Sequence, residues 1–222
     1  MPVEGTRAGL GWVKSLTRGV RVVQCVGLLA AVVCMAGAMA AAAGGSATEA
    51  MKGTIDRVLE ILKDKELKKP DRLEERRRTL EKVVAERFSY DEMAKRSLAA
   101  QWKELDENQR KEFVELFQSL LTRTYADKVE SYSGEPVQYV NERLREEGYA
   151  EVRTKVVLGK AEIPLDYRLT RIAGDWRVYD VVIDGVSLVS NYRGQFTKII
   201  KSSSYADLVD KLRKKSDKIT TP

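Results

Sequence analysis

The stretch EVRTKVVLGKAEIPLDYRLTRIAGDWRVYDVVIDG, residues 151–185, decides the fold. Val152, Thr154, Val156 and Leu158 alternate with Arg153, Lys155 and Val157, the two-residue period of a strand. Gly159-Lys160 turns the chain, and Leu165, Tyr167 and Leu169 then alternate with Asp166, Arg168 and Thr170. Ala173-Gly174-Asp175 turns it again into a strand from Trp176 to Ile183. Upstream, Val137-Gln138-Tyr139-Val140 begins another strand, ended by a Glu147-Gly148 turn. Short turns between successive strands predict a four-stranded antiparallel meander. Its middle strands carry one apolar and one polar face, as in a sheet covered on one side. In the last strand Trp176, Val178 and Val182 fall on one face and Tyr179, Val181 and Ile183 on the other. That strand is expected to be the most buried.

On both sides the period changes to that of a helix. Met51, Ile55, Val58, Leu59 and Leu62 recur at helical spacing, and Pro70 suits a first helical turn. Leu73, Leu80, Val83, Val84 and Phe88 follow around a charged run, Glu74-Glu75-Arg76-Arg77-Arg78, read as a solvated face. Ser89 or Tyr90-Asp91 opens a helix with Met93, Leu98 and Trp102. Asp106 can cap a longer one bearing Phe113, Leu116, Phe117, Leu120, Leu121, Tyr125 and Val129. After Gly185 a helix carries Leu188, Val189, Tyr192, Phe196, Ile199 and Ile200, and a last amphipathic segment runs from Tyr205 to Lys215. The expectation is a single α+β domain over residues 44–222, with helices laid on a curved four-stranded antiparallel sheet.

The first 43 residues read differently. A basic leader with Arg7, Lys14, Arg18 and Arg21 precedes an uncharged run from Val22 to Ala40 and an alanine-rich exit. This is the pattern of a secretory signal peptide, cleaved after Ala40 or Ala43. A retained anchor is the alternative, because the run approaches the roughly 20 residues needed to span a bilayer. The leader holds four of the 39 cations and one of the 33 acids, so the formal charge falls from +6 to +3 on its removal. Such a mild charge lacks the basic stripe that nucleic-acid binding needs.

The chain contains no histidine, and its two cysteines, Cys25 and Cys34, lie in the leader. Ser-His-Asp and Cys-His catalysis and His-ligated metals are therefore excluded. No metal-ligand spacing, phosphate loop or nucleophile motif is present, and no cofactor is expected. Asp166, Asp180 and Asp184, with nearby tyrosines, could supply the acid–base pair of an isomerase. Equally, Asp180 could accept an arginine or a hydrogen bond while Asp184-Gly185 turns the chain. The wide apolar faces fit either a solid core or a hollow one that takes a hydrocarbon ligand.

Gly174-Asp175-Trp176-Arg177-Val178-Tyr179-Asp180-Val181-Val182-Ile183-Asp184-Gly185, with Asn191-Tyr192-Arg193-Gly194-Gln195-Phe196, resembles the C-terminal signature of the MlaC family of periplasmic phospholipid-binding proteins. Phe88-Ser89-Tyr90-Asp91-Glu92-Met93-Ala94, Trp102 and the segment from Gln109 to Tyr125 are similar to the family's helical half. Ala99 departs from the pattern, which has glycine there. The resemblance implies a nuclear-transport-factor-2-like fold enclosing a pocket for acyl chains. It implies a periplasmic carrier, exported by its signal peptide, with phospholipid as ligand. The implied partners are an inner-membrane ABC transporter complex with an MCE-domain subunit and an outer-membrane lipoprotein–porin complex. Mixed charge clusters such as Arg76-Arg77-Arg78 would favour weak, salt-sensitive docking to them.

On this reading the sleeve is lined from the sheet by Val152, Val156, Leu165, Tyr167, Leu169, Val178 and Val182. The long helix contributes Phe113, Phe117, Leu120, Leu121 and Tyr125, and the helix after Gly185 contributes Val189, Tyr192 and Phe196. Tyr192 and Arg193 are placed near the headgroup. No catalytic or metal-binding residue is assigned. The alternatives are a nuclear-transport-factor-2-like isomerase-type enzyme and a ligand-free periplasmic adaptor with a solid core.

Overall fold

The computed structural model describes residues 45–217 apart from 133 and 147; the expected leader and cleavage site and both cysteines lie outside the described residues. The elements are helices α1 (Ala47–Lys63), α2 (Leu73–Arg87), α3 (Tyr90–Leu98) and α4 (Glu107–Glu130), strands β1 (Val137–Leu144), β2 (Tyr149–Leu158), β3 (Ala161–Ile172), β4 (Asp175–Ile183) and β5 (Val186–Ser187), then helices α5 (Leu188–Ser202) and α6 (Tyr205–Asp217). The strands form one antiparallel meander in the order β1-β2-β3-β4-β5. The α+β, nuclear-transport-factor-2-like expectation holds. A fifth strand is added, two residues long, where Val186 and Ser187 pair back onto Ile183 and Val182.

Side-chain caps set the helix starts. Ser46 Oγ accepts from Glu49 N while the Glu49 carboxylate accepts from Ser46 N, a reciprocal box that opens α1. Asp106 and Gln109 do the same for α4, and Ser89 caps α3. Pro70 opens a short 3-10 turn, Pro70–Arg72, one turn ahead of α2. Trp102 does not belong to α3: the helix ends at Leu98, the φ of 51° and ψ of −119° at Ala99 break it, and Trp102 lies in a separate 3-10 segment, Ala99–Glu104. The run at 76–78 is less solvated than its composition implies. Arg76 is buried and donates to the Glu130 carbonyl at the end of α4, and Arg77 pairs with the Glu130 carboxylate.

Two bulges decide which side chains face inward. Pairing steps from Arg168–Asp180 to Leu169–Val178, so Tyr179 is an extra residue in β4. Trp176 and Val178 therefore share the inner face with Val181 and Ile183, while Val182, opposite Asp166, lies on the other face. Simple alternation placed Val182 inside and Val181 outside; the bulge reverses both. In β1, Val140 is extra in the same sense.

Buried side chains form two clusters. One belongs to the inner face of the sheet and α1, with Ala47, Met51, Ala150, Val152, Tyr167, Leu169, Trp176, Val178, Val181 and Leu188. The other belongs to α3–α6, with Met93, Leu98, Phe113, Phe117, Leu121, Tyr192, Phe196, Leu208 and Leu212 among its members. The chain passes between them along the edge of β4, where Ser89 N donates to Val178 O at 2.8 Å.

Candidate apolar ligand site

The site residues read from the sequence divide between these clusters. Phe113, Phe117, Leu120 and Leu121 of α4 meet Val189, Tyr192 and Phe196 of α5 in the helical cluster. Phe117 is its centre, with ring centroids 5.3 Å from Tyr192, 5.6 Å from Phe196 and 5.9 Å from Phe113. The first two contacts are edge-to-face, the arrangement ring quadrupoles favour. Val152, Tyr167, Leu169 and Val178 are buried in the sheet cluster, and Leu165 is packed against it. Val156 lies further along β2, half-buried, and Val182 is on the opposite face.

Phe88 and Tyr125 pack against both clusters and make the apolar interior continuous. Tyr125 was read from the helical stripe. Phe88 reads in the sequence as the end of the second helical stripe and as part of the family resemblance; it caps α2, and its joint position depends on a parallel bridge to Val178 that no local pattern announces. Burial and the neighbouring Tyr192 hydroxyl raise the pKa of Tyr125. Burial pushes Tyr90 up to about 12 despite a hydrogen bond with Thr122. Both hydroxyls stay protonated at neutral pH. Tyr192 is buried among the helices, and Arg193 Nε donates to the Arg96 carbonyl at 2.8 Å.

The carboxylates at the sheet are engaged. Asp180 accepts from Arg168 at 3.0 Å, Ser187 Oγ at 2.7 Å and Val189 N at 3.1 Å, which ties β4 to the start of α5. Glu151 accepts from Arg145 at 2.7 Å and Arg153 at 2.9 Å. Burial raises its pKa, but the two arginines outweigh burial and hold it below the ordinary value. Both stand on the face of the sheet turned away from the apolar interior. Glu142, on the inner side, accepts from Thr48 N at 2.9 Å and Ala47 N at 3.3 Å at the start of α1. Isomerase chemistry would need a free carboxyl facing an apolar site; these three are each held by other partners. Asp184, at φ 48°, turns the chain with Gly185.

Among the described residues, clefts open to the surface beside α4 and at the end of α1. A cleft of about 280 Å³ between α4 and α6 is lined by Leu120, Arg123, Thr124, Leu212, Lys215 and Ser216. A narrow one of about 20 Å³ lies at the end of α1, lined by Leu59, Leu62, Lys63, Lys68, Tyr132 and Gly134. Among the described residues, no helix is long and apolar enough to cross a membrane and no cluster of acidic side chains could hold a metal.

Comparison with known proteins agrees with this architecture. The family described as "MlaC protein" matches residues 52–214. The intermembrane phospholipid transport system binding protein MlaC of Haemophilus influenzae is 24% identical over 121 residues, 52% of this chain and 56% of that relative. The aligned stretch thus spans little more than half of that relative's length. A solved structure of the phospholipid-binding protein from Ralstonia solanacearum, in complex with a phospholipid, shares 25% identity and superposes with a TM-score of 0.72. That match covers 80% of this chain and all of the Ralstonia chain.

Proposed function

The chain belongs to the MlaC family, and from that premise we propose that it carries phospholipid between membranes, with the acyl chains held between the inner face of the sheet and the helical cluster. The observation that supports this most is the continuity of two apolar clusters through Phe88 and Tyr125. A hydrocarbon tail in water costs about 0.8 kcal/mol per methylene, so a carrier must offer an apolar path as long as the tail. Two clusters joined by two aromatic rings offer such a path.

In this reading the leader directs export to the periplasm and is removed. The carrier then exchanges lipid with an inner-membrane ABC transporter complex through its MCE-domain subunit, and with an outer-membrane lipoprotein–porin complex. Mass spectrometry of organic extracts from the purified protein tests the central claim. Phospholipid at about one molecule per chain is expected. Extracts free of lipid would favour a ligand-free adaptor, and turnover of an added steroid-like or polyketide substrate would favour an isomerase.

A further inference from the structure

Tyr139 lies on β1 opposite Thr154, which lies opposite Leu165, so its ring stands on the inward-facing side of the sheet, one row in from Val137, Val156 and Ile163. Its hydroxyl oxygen is buried and, among the described residues, has no hydrogen-bond partner. Buried polar groups are nearly always paired, so an unpaired one asks for an explanation. The polar neighbours on the same face are already engaged. The Thr154 hydroxyl donates to the Leu165 carbonyl, and Glu142 holds the start of α1. Burial, with the Asp56 carboxylate and the Tyr132 hydroxyl nearby, pushes the Tyr139 pKa up to about 12, so the hydroxyl keeps its proton and can donate.

The surroundings say what it could donate to. Going inward, successive rows bring Val152 with Tyr167, then Ala150 with Leu169 and Val178, which abuts the Phe88 joint. Leu165 and Leu169 are four residues apart, about 13 Å along the strand. A single acyl chain in a bilayer reaches about 15 Å, half of the roughly 30 Å hydrocarbon core. Going outward, Tyr132 is the neighbour Tyr139 shares with the narrow cleft, whose rim carries the exposed ammonium groups of Lys63 and Lys68. Hydrocarbon surface, one buried donor and then two cations follow in the order of tail, ester and phosphate in a glycerophospholipid.

We propose that the Tyr139 hydroxyl donates to an acyl ester carbonyl of the bound phospholipid and so fixes the depth of the tails, with the phosphate toward Lys63 and Lys68. This rests on the phospholipid reading above. The test compares lipid-free wild type and Tyr139→Phe, each titrated with diacyl (ester-linked) and dialkyl (ether-linked) phosphatidylglycerol of equal chain length. Wild type is expected to favour the ester lipid on the order of 3- to 10-fold, the value of one hydrogen bond. The variant should bind both lipids alike, at the wild-type ether level. Its lipid-free unfolding midpoint should equal or exceed that of wild type, because removing an unpaired hydroxyl forfeits no bond. Lys63→Gln combined with Lys68→Gln should weaken both lipids equally, since both carry the phosphate. An ester preference that survives in Tyr139→Phe, or a lipid-free variant less stable than wild type, overturns the proposal while leaving the carrier function intact. Wild type that binds neither lipid overturns the carrier function itself.

Discussion

Ala99 carries the clearest strain on a single residue. Its φ of 51° with ψ of −119° is a conformation in which a Cβ crowds the backbone and glycine does not. Glycine is what the resemblance leads one to expect at this position, and the geometry gives a reason: α3 stops abruptly here and the chain turns into the segment with Trp102. Ala99→Gly relieves the strain but adds freedom to the unfolded chain. A net gain of about 1 kcal/mol is expected, read as a higher urea midpoint with an unchanged slope. Unchanged or lower stability would mean that the surrounding packing has absorbed the strain.

At the scale of elements, carboxylates anchor helices and strands to one another. Burial raises the Glu142 pKa, but hydrogen bonds from Thr48 and Ala47 outweigh it and hold the carboxyl below its ordinary 4.5. Glu151 is held below 4.5 by Arg145 and Arg153. A carboxyl with a lowered folded-state pKa contributes stability that is present above about pH 4.5 and lost as pH falls through the folded value. Acid unfolding of wild type should therefore begin below about pH 4.5. Glu142→Gln and Glu151→Gln should each flatten that dependence, measured as thermal midpoints across pH 3–7. Glu151→Gln should also cost about 2 kcal/mol at neutral pH, less than a fully buried pair because its arginines are half exposed. The elements themselves were largely legible in the sequence. Alternation at Leu165–Leu169, the glycine turns and the caps at Ser89 and Asp106 are local signals, and local energies set them. The Tyr179 bulge is not local. It lets Asp180 face outward to Arg168, Ser187 and Val189 N while Val181 faces inward, a compromise between the sheet and α5 that alternation within β4 cannot register. Tyr139 was missed for a similar reason: its unpaired hydroxyl exists only once β1 is paired.

For the whole molecule the question is where the tails lie, in the joined clusters or in the cleft between α4 and α6. Both are apolar, and both touch Leu120 or its neighbours. Enlarging a side chain separates them. Leu169 is fully buried on the inner face of the sheet, and Leu212 lines the cleft. Leu169→Phe places extra volume where a tail between the clusters would run, and overpacking a filled core costs about 1–3 kcal/mol. If a lipid shares that space, the larger ring displaces it, so the purified variant should carry less than half of the wild-type phospholipid while keeping its helical circular dichroism. Leu212→Phe should narrow the cleft and leave the lipid content unchanged. The reverse result, with Leu212→Phe emptied and Leu169→Phe fully loaded, would move the tails to the α4–α6 cleft and leave the sheet cluster as ordinary core. Because both substitutions add similar volume to buried leucines, a general loss of stability would lower lipid content in both, and only a difference between them locates the chain.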